Sequence, residues 1–200
     1  SFGSLRPGKI HQLSYHTKEV AGVRVRRRVP RNVARFMTGV STNLNSSLFA
    51  VWQGFFAFWL WRHIDENDDV VFCGPFARRS NFDSVCGFLL NVVVYHYDVG
   101  NLVASCSDFL GYSRGARDFF LQGLEKANIP FQLLLRRFHN LSDVFDICFT
   151  WMVVQDEVDA FTSASVKSDF SFYCFEGVQI EILTPVSCVT FDIAENFLTL

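Results

Sequence analysis

The chain has 200 residues, 50% of them hydrophobic and 23 of them Phe, with charged residues at 19%; this suits one domain with a continuous apolar core and excludes a disordered chain. The net charge of −2 and a pI of about 6.2 argue against a nucleic-acid binder. Beneath that balance, residues 1–36 hold nine Lys/Arg and a single acid, Glu19, while residues 37–200 hold nine Lys/Arg against nineteen acids, so the basic front is expected to pack on the acidic remainder.

Residues 1–21 read as a basic lead-in and residues 22–200 as one structural unit. From Gly22 to Val29, Val23, Val25 and Val29 alternate with Arg24, Arg26 and Arg28, the period of a strand with one apolar and one cationic face. Pro30 fits the first turn of a helix carrying Val33, Phe36, Met37 and Val40 at helical spacing. After the polar run Ser41–Ser47, the segment from Ser47 to His63 is apolar nearly all round, which predicts a covered helix with Leu48, Trp52, Phe55 and Trp59 in the core. It falls short of the roughly 20 residues that span a bilayer, so no membrane association is expected.

Two β-rich runs follow, Val70–Cys73 before a Gly-Pro corner and Phe88–Tyr97, both with the composition of interior strands. Cys106–Ala127 reads as one long helix with weak points at Gly111 and Gly115, and Pro130 opens a shorter one through Phe138. Phe145, Ile147, Phe149, Trp151 and Val153 alternate with Asp146, Cys148, Thr150 and Met152, a strand with one buried face. Gln155–Asp169 is a long polar connection, and Phe170–Phe175, Val178–Leu183 and Val186–Asp192 are further strand candidates. The order predicts an α/β fold of layered type, a mixed β-sheet with helices packed on it.

Candidate chemistry is sparse. The six cysteines, Cys73, Cys86, Cys106, Cys148, Cys174 and Cys188, include no Cys-x-x-Cys pair and no zinc spacing, and read as buried, reduced thiols. With no secretion signal in the sequence, a cytoplasmic setting is expected. His11, His16, His63, His96 and His139 are scattered, without a carboxylate or cysteine at ligand spacing, so neither a metal site nor a local His-Asp pair is expected. Asp65, Glu66, Asp68 and Asp69 lack the rhythm of a calcium loop and read as a solvated turn.

Gly111-Tyr112-Ser113-Arg114-Gly115 matches Gly-x-Ser-x-Gly, but that pattern activates serine only at a strand-to-helix elbow, and here it lies inside a helical pattern. A serine hydrolase using Ser113 is therefore the remote alternative, and two glycines easing helix packing the favoured reading. Arg24, Arg26 and Arg28 could meet a phosphate or a partner, since guanidinium binds phosphate in a bidentate manner, although an exposed strand face is commonly charged.

Five segments, in order, resemble the C-terminal lobe of the condensation domains of nonribosomal peptide synthetases, which have the chloramphenicol-acetyltransferase-like fold. Val70-Val71-Phe72-Cys73-Gly74-Pro75-Phe76-Ala77-Arg78-Arg79 resembles the family's "D-I-V-V-G-x-P-x-x-x-R", and Gly87-Phe88-Leu89-Leu90-Asn91-Val92 resembles "G-x-F-V-N-T". Asn128-Ile129-Pro130-Phe131-Gln132-Leu133-Leu134 resembles "D-x-P-F-E-x-L-V", Val144-Phe145-Asp146-Ile147-Cys148-Phe149 resembles "L-F-Q-V-M-F", and Phe191-Asp192-Ile193 resembles the late "F-D-L" strand. Two positions depart from the pattern: His96 stands where the family has arginine, and Lys126-Ala127-Asn128 where it often has His-Gln-Asp.

The resemblance implies one lobe of that fold over residues 22–200, with Asn91 near a tunnel wall and 155–169 as the segment sent towards the other lobe. It implies no cofactor bound directly, but the phosphopantetheine arm of a carrier protein nearby. The implied partners are an N-terminal condensation lobe, an adenylation domain and a peptidyl carrier protein. The family's catalytic His-His-x-x-x-Asp-Gly motif does not occur in this sequence, so no catalytic residue is assigned here. The expected role is a non-catalytic scaffold of a peptide-forming assembly line; the alternative is half of an amide-forming acyltransferase completed by an N-terminal lobe.

Overall fold

The computed structural model describes residues 22–63, 68–77, 90–137, 147–152, 170–176 and 179–185. The basic lead-in of residues 1–21, the connection Gln155–Asp169, the candidate strand Val186–Asp192, and Cys86 and Cys188 lie outside them.

In chain order the elements are β1 (Gly22–Arg28), α1 (Arg31–Asn43), α2 (Leu48–His63), β2 (Asp69–Ala77), β3 (Leu90–Asp98), α3 (Val99–Ser105), α4 (Phe109–Glu125), α5 (Phe131–Arg137), β4 (Ile147–Met152), β5 (Phe170–Phe175) and β6 (Gln179–Pro185). The strands form one mixed sheet in the order β1-β6-β5-β4-β2-β3. β2–β4 and β4–β5 pair parallel, while β1–β6, β2–β3 and β5–β6 pair antiparallel. The mixed α/β architecture expected from the sequence is the one observed.

Helices cover one face of this sheet, and period-2 alternation sends a row of aromatic side chains up to meet them. α2 lies at the centre. Its Phe56 ring sits 5.1 Å from Phe72 of β2, 5.2 Å from Phe149 of β4 and 4.8 Å from Phe172 of β5, so one side chain touches three strands. Trp52 and Trp59 are buried beside it, while Leu48 and Phe55 pack half-buried on the same core. α4 crosses α2 closely at Gly54, where an added Cβ would stand 3.0 Å from that of Ala116.

The helix starts follow ordinary capping chemistry. The Ser47 hydroxyl accepts from Ala50 N at 3.1 Å, Asp98 accepts from Asn101 N at 3.3 Å and Asp108 accepts from Gly111 N at 2.7 Å, each satisfying a donor of the first turn. The Arg117 guanidinium donates to Leu44 O at 2.8 Å, which satisfies a carbonyl just past α1.

Four expectations are corrected. The segment predicted as one helix from Cys106 begins at Phe109, and a separate α3 precedes it, because Asp98 and Asp108 each cap a helix of their own. The Gly-Pro corner is absent: Gly74 and Pro75 continue β2, with Gly74 required because a Cβ there would stand 2.7 Å from Phe149 O. β3 lies at an edge of the described sheet rather than in its interior. Phe36 is 54% exposed, resting on Phe109 at 5.6 Å on the rim of the helical layer rather than within it.

Candidate functional site

The opposite face of the sheet carries the side chains with chemical capability. Strand alternation places Arg26 and Arg28 of β1, Gln179 and Glu181 of β6, Ser171 and Tyr173 of β5, Cys148 and Thr150 of β4, Asp69 and Cys73 of β2, and His96 of β3 on that side. At one end Leu134 and Leu135 of α5 cover a small apolar cluster formed by Val71, Cys73, Val92, Val94 and Cys148.

Asn91 stands on β3, half-buried, with both its amide N–H groups and its oxygen bonded to backbone. Nδ2 donates to Ala127 O and to Ile129 O, both at 2.8 Å, and Oδ1 accepts from Phe131 N at 3.3 Å. It thereby ties the edge strand to the turn between α4 and α5, holding α5 in place. With both N–H groups given to backbone carbonyls, the side chain has no donor left to offer a passing ligand without releasing that turn.

The cationic face of β1 is less open than alternation suggested. Arg26 pairs with Glu181 across the β1–β6 ladder, its Nε donating to Oε2 at 2.9 Å. The carboxylate is buried, with a side chain 3% exposed, while Arg26 is 48% exposed. Arg28 is exposed; the side chain of Arg24 lies outside the described residues. Of these, Arg26 is turned onto Glu181 and so is not free to meet a phosphate such as the one that joins phosphopantetheine to its carrier.

A His-Asp pair is present, though not the local kind that the sequence argued against. His96 Nε2 lies 2.6 Å from Asp69 Oδ1, between the antiparallel strands β2 and β3, with both side chains partly exposed. The two residues are 27 apart in sequence, so no local spacing could have announced them; the ladder register of Val71 against His96 sets them diagonally on one face. A carboxylate-held imidazole is a competent proton acceptor, but among the described residues Asp69 is its one hydrogen-bond partner and no nucleophile adjoins it.

Ser113 does not form an elbow. It lies within α4, buried, and its hydroxyl has no hydrogen-bond partner among the described residues. The helix before it is α3 rather than a strand, so the exposed turn that activates such a serine is missing. Gly115 serves packing, since a side chain there would collide with Leu102 of α3. The serine-hydrolase alternative is thereby set aside.

On the helix-covered face, burial raises the tyrosine phenols. It pushes the Tyr95 phenol up to about 12 and drives Tyr97 and Tyr112 upward as well. The Tyr97 hydroxyl donates to Gln53 Oε1 at 2.7 Å and that of Tyr112 to Gly54 O at 2.9 Å, so these phenols fasten α2 rather than ionise.

No family model and no curated protein matches the sequence, but solved structures match the fold. The condensation domain from the monacolin K polyketide synthase MokA superposes with a TM-score of 0.71 at 15% identity, over 100% of this chain and 52% of that one. The complex of the X-domain and OxyB from teicoplanin biosynthesis matches with a TM-score of 0.73 at 12% identity, over 99% of this chain and 48% of that one. The four-domain nonribosomal peptide synthetase AB3403, solved in its holo form with AMP and glycine, matches with a TM-score of 0.69 at 14% identity, over 89% of this chain and 16% of that one. The chain therefore has the fold of part of a condensation domain, and it spans about half the length of the first of these structures. No helix among the described residues is long and apolar enough to cross a membrane.

Proposed function

We propose that the chain is the C-terminal lobe of a condensation-type domain and serves as a non-catalytic scaffold within a peptide-forming assembly line. The observation that carries this reading is the half-length match: the whole chain superposes on 52% of a condensation domain. The order of the five resembling segments supports its being the C-terminal half. In this reading the lobe contributes one wall of a tunnel shared with an N-terminal lobe, and the phosphopantetheine arm of a peptidyl carrier protein runs along that boundary.

Docking of an adenylation domain and a carrier protein is part of the proposal, supported by the multidomain protein and the two-protein complex among the matching structures. A cytoplasmic setting is part of it too, in keeping with the cysteine pattern.

Calorimetry of the chain against a carrier protein loaded with phosphopantetheine, an adenylation domain and a protein bearing the His-His-x-x-x-Asp-Gly lobe tests the scaffold. Binding to at least one is expected; heat-silent titrations against all three would overturn it. The same half-length match also allows an amide-forming acyltransferase completed by a second lobe. The two readings separate on mixing with that lobe: an acyl-transfer activity absent from either half alone marks the active enzyme, and a complex without activity marks the scaffold.

A further inference from the structure

Neither the scaffold role nor the aromatic core uses the thiols at the seam between β2 and β4. β2 pairs with β3 over nine positions and β4 with β5 over six, whereas the described ladder between β2 and β4 is the single pair Cys73↔Cys148. Pro75, which has no N–H to donate, follows two residues later in β2. The cysteines thus face one another where the described parts of the sheet have the fewest backbone pairings.

The geometry suits a covalent bond. Adjacent strands lie about 4.8 Å apart, inside the range of about 4.4–6.8 Å between the Cα atoms of a disulfide. Both side chains project to the same face, into the small cluster with Val71, Val92, Val94 and the leucines of α5. The two sulfurs differ in a way that assigns roles. A hydrogen bond from the Cys73 thiol holds Cys148 below the usual thiol range against the opposing effect of burial, with the Thr150 hydroxyl 3.7 Å from its sulfur adding support. The same contact and its own burial push Cys73 up. Cys148 is also the one that solvent reaches, since it is half-buried while Cys73 is 1% exposed.

We propose that Cys148 and Cys73 form an oxidisable dithiol, a modification site at which a hydroperoxide converts two facing thiols into a cross-strand disulfide. The Cys148 thiolate attacks the peroxide, forming an S–O bond as the O–O bond breaks, and the departing oxygen takes up a proton to leave as water or alcohol. Cys73 then attacks the sulfenic sulfur of Cys148; the S–S bond forms, the S–O bond breaks, and hydroxide leaves with the Cys73 proton as water. The two sulfurs together lose two electrons and the peroxide gains two. The product staples the two parts of the sheet and closes a long loop, which restricts the unfolded chain.

The test uses the full chain, reduced, exposed to hydrogen peroxide, blocked with iodoacetamide, digested and mapped by mass spectrometry. A peptide linking Cys73 to Cys148 is expected as the main cross-linked product, together with a higher urea midpoint than the reduced protein. In Cys73→Ser, dimedone labelling of Cys148 should rise severalfold because the sulfenic acid has lost its partner; in Cys148→Ser, Cys73 should stay alkylatable. Recovery of both cysteines separately alkylated from peroxide-treated wild-type chain, or their linkage mainly to other cysteines, would overturn the proposal without recourse to any variant.

Discussion

The two faces of the sheet do different work with the same backbone. One is closed by α2 and α4 over Phe56, Phe72, Phe149 and Phe172, with Tyr97 donating to Gln53 inside it. The other is covered at one end by α5 and carries Arg26–Glu181, His96–Asp69 and the facing thiols. Stability is concentrated on the face that looks chemically inert, while the groups able to exchange protons or react lie on the face that contributes less to the core. A sheet built this way can present a polar surface without weakening what holds it together.

Phe56→Ala should reveal that contrast most strongly. Removing a ring that contacts three strands is expected to cost about 3–5 kcal/mol in urea unfolding, transfer and cavity effects combined. A loss below 1 kcal/mol would mean the covered face is not where the stability resides. Arg26→Ala, on the other face, should cost about 1–3 kcal/mol, because the buried Glu181 carboxylate loses a charged donor. Its effect should persist at high salt, unlike that of a solvent-exposed pair.

Alkaline titration sharpens the comparison from another side. Tyr95, Tyr97 and Tyr112 all lie on the covered face with raised phenol pKa values, so above pH 10 the unfolded chain releases protons that the folded chain retains. The unfolded state then binds fewer protons, and stability must fall as pH rises from 10 towards the folded value of about 12 for Tyr95. Each such tyrosine contributes a slope of up to about 1.4 kcal/mol per pH unit. Urea unfolding followed between pH 8 and pH 12 checks this, and Tyr95→Phe should reduce the slope. The smallest effect is expected for His96→Gln, about 0.2–1 kcal/mol, because its pair with Asp69 is partly exposed.

Much of this was legible in the sequence. The alternation of Val23, Arg24, Val25 and Arg26 marks β1, the all-apolar run after Ser47 marks α2, and Phe149 with Trp151 marks β4, because each pattern reflects burial along a single element. The division of the 99–125 region into α3 and α4 was also present, in the capping residues Asp98 and Asp108, but it was masked by continuous helix-compatible composition between them. The resemblance motifs pointed to the lobe, but Asn91 could be placed only by position, and its role in clamping the α4–α5 turn depends on backbone groups 36 to 40 residues away.

By itself, then, the sequence determined which segments become strands and helices and which face of each is apolar, since those are local consequences of period and propensity. Strand order and register were decided by the tertiary structure alone. They put Glu181 under Arg26 across 155 residues, Asp69 against His96, and Cys148 beside Cys73. A shift of one residue in any ladder would send these side chains to opposite faces, and nothing within a single strand specifies its partner's register.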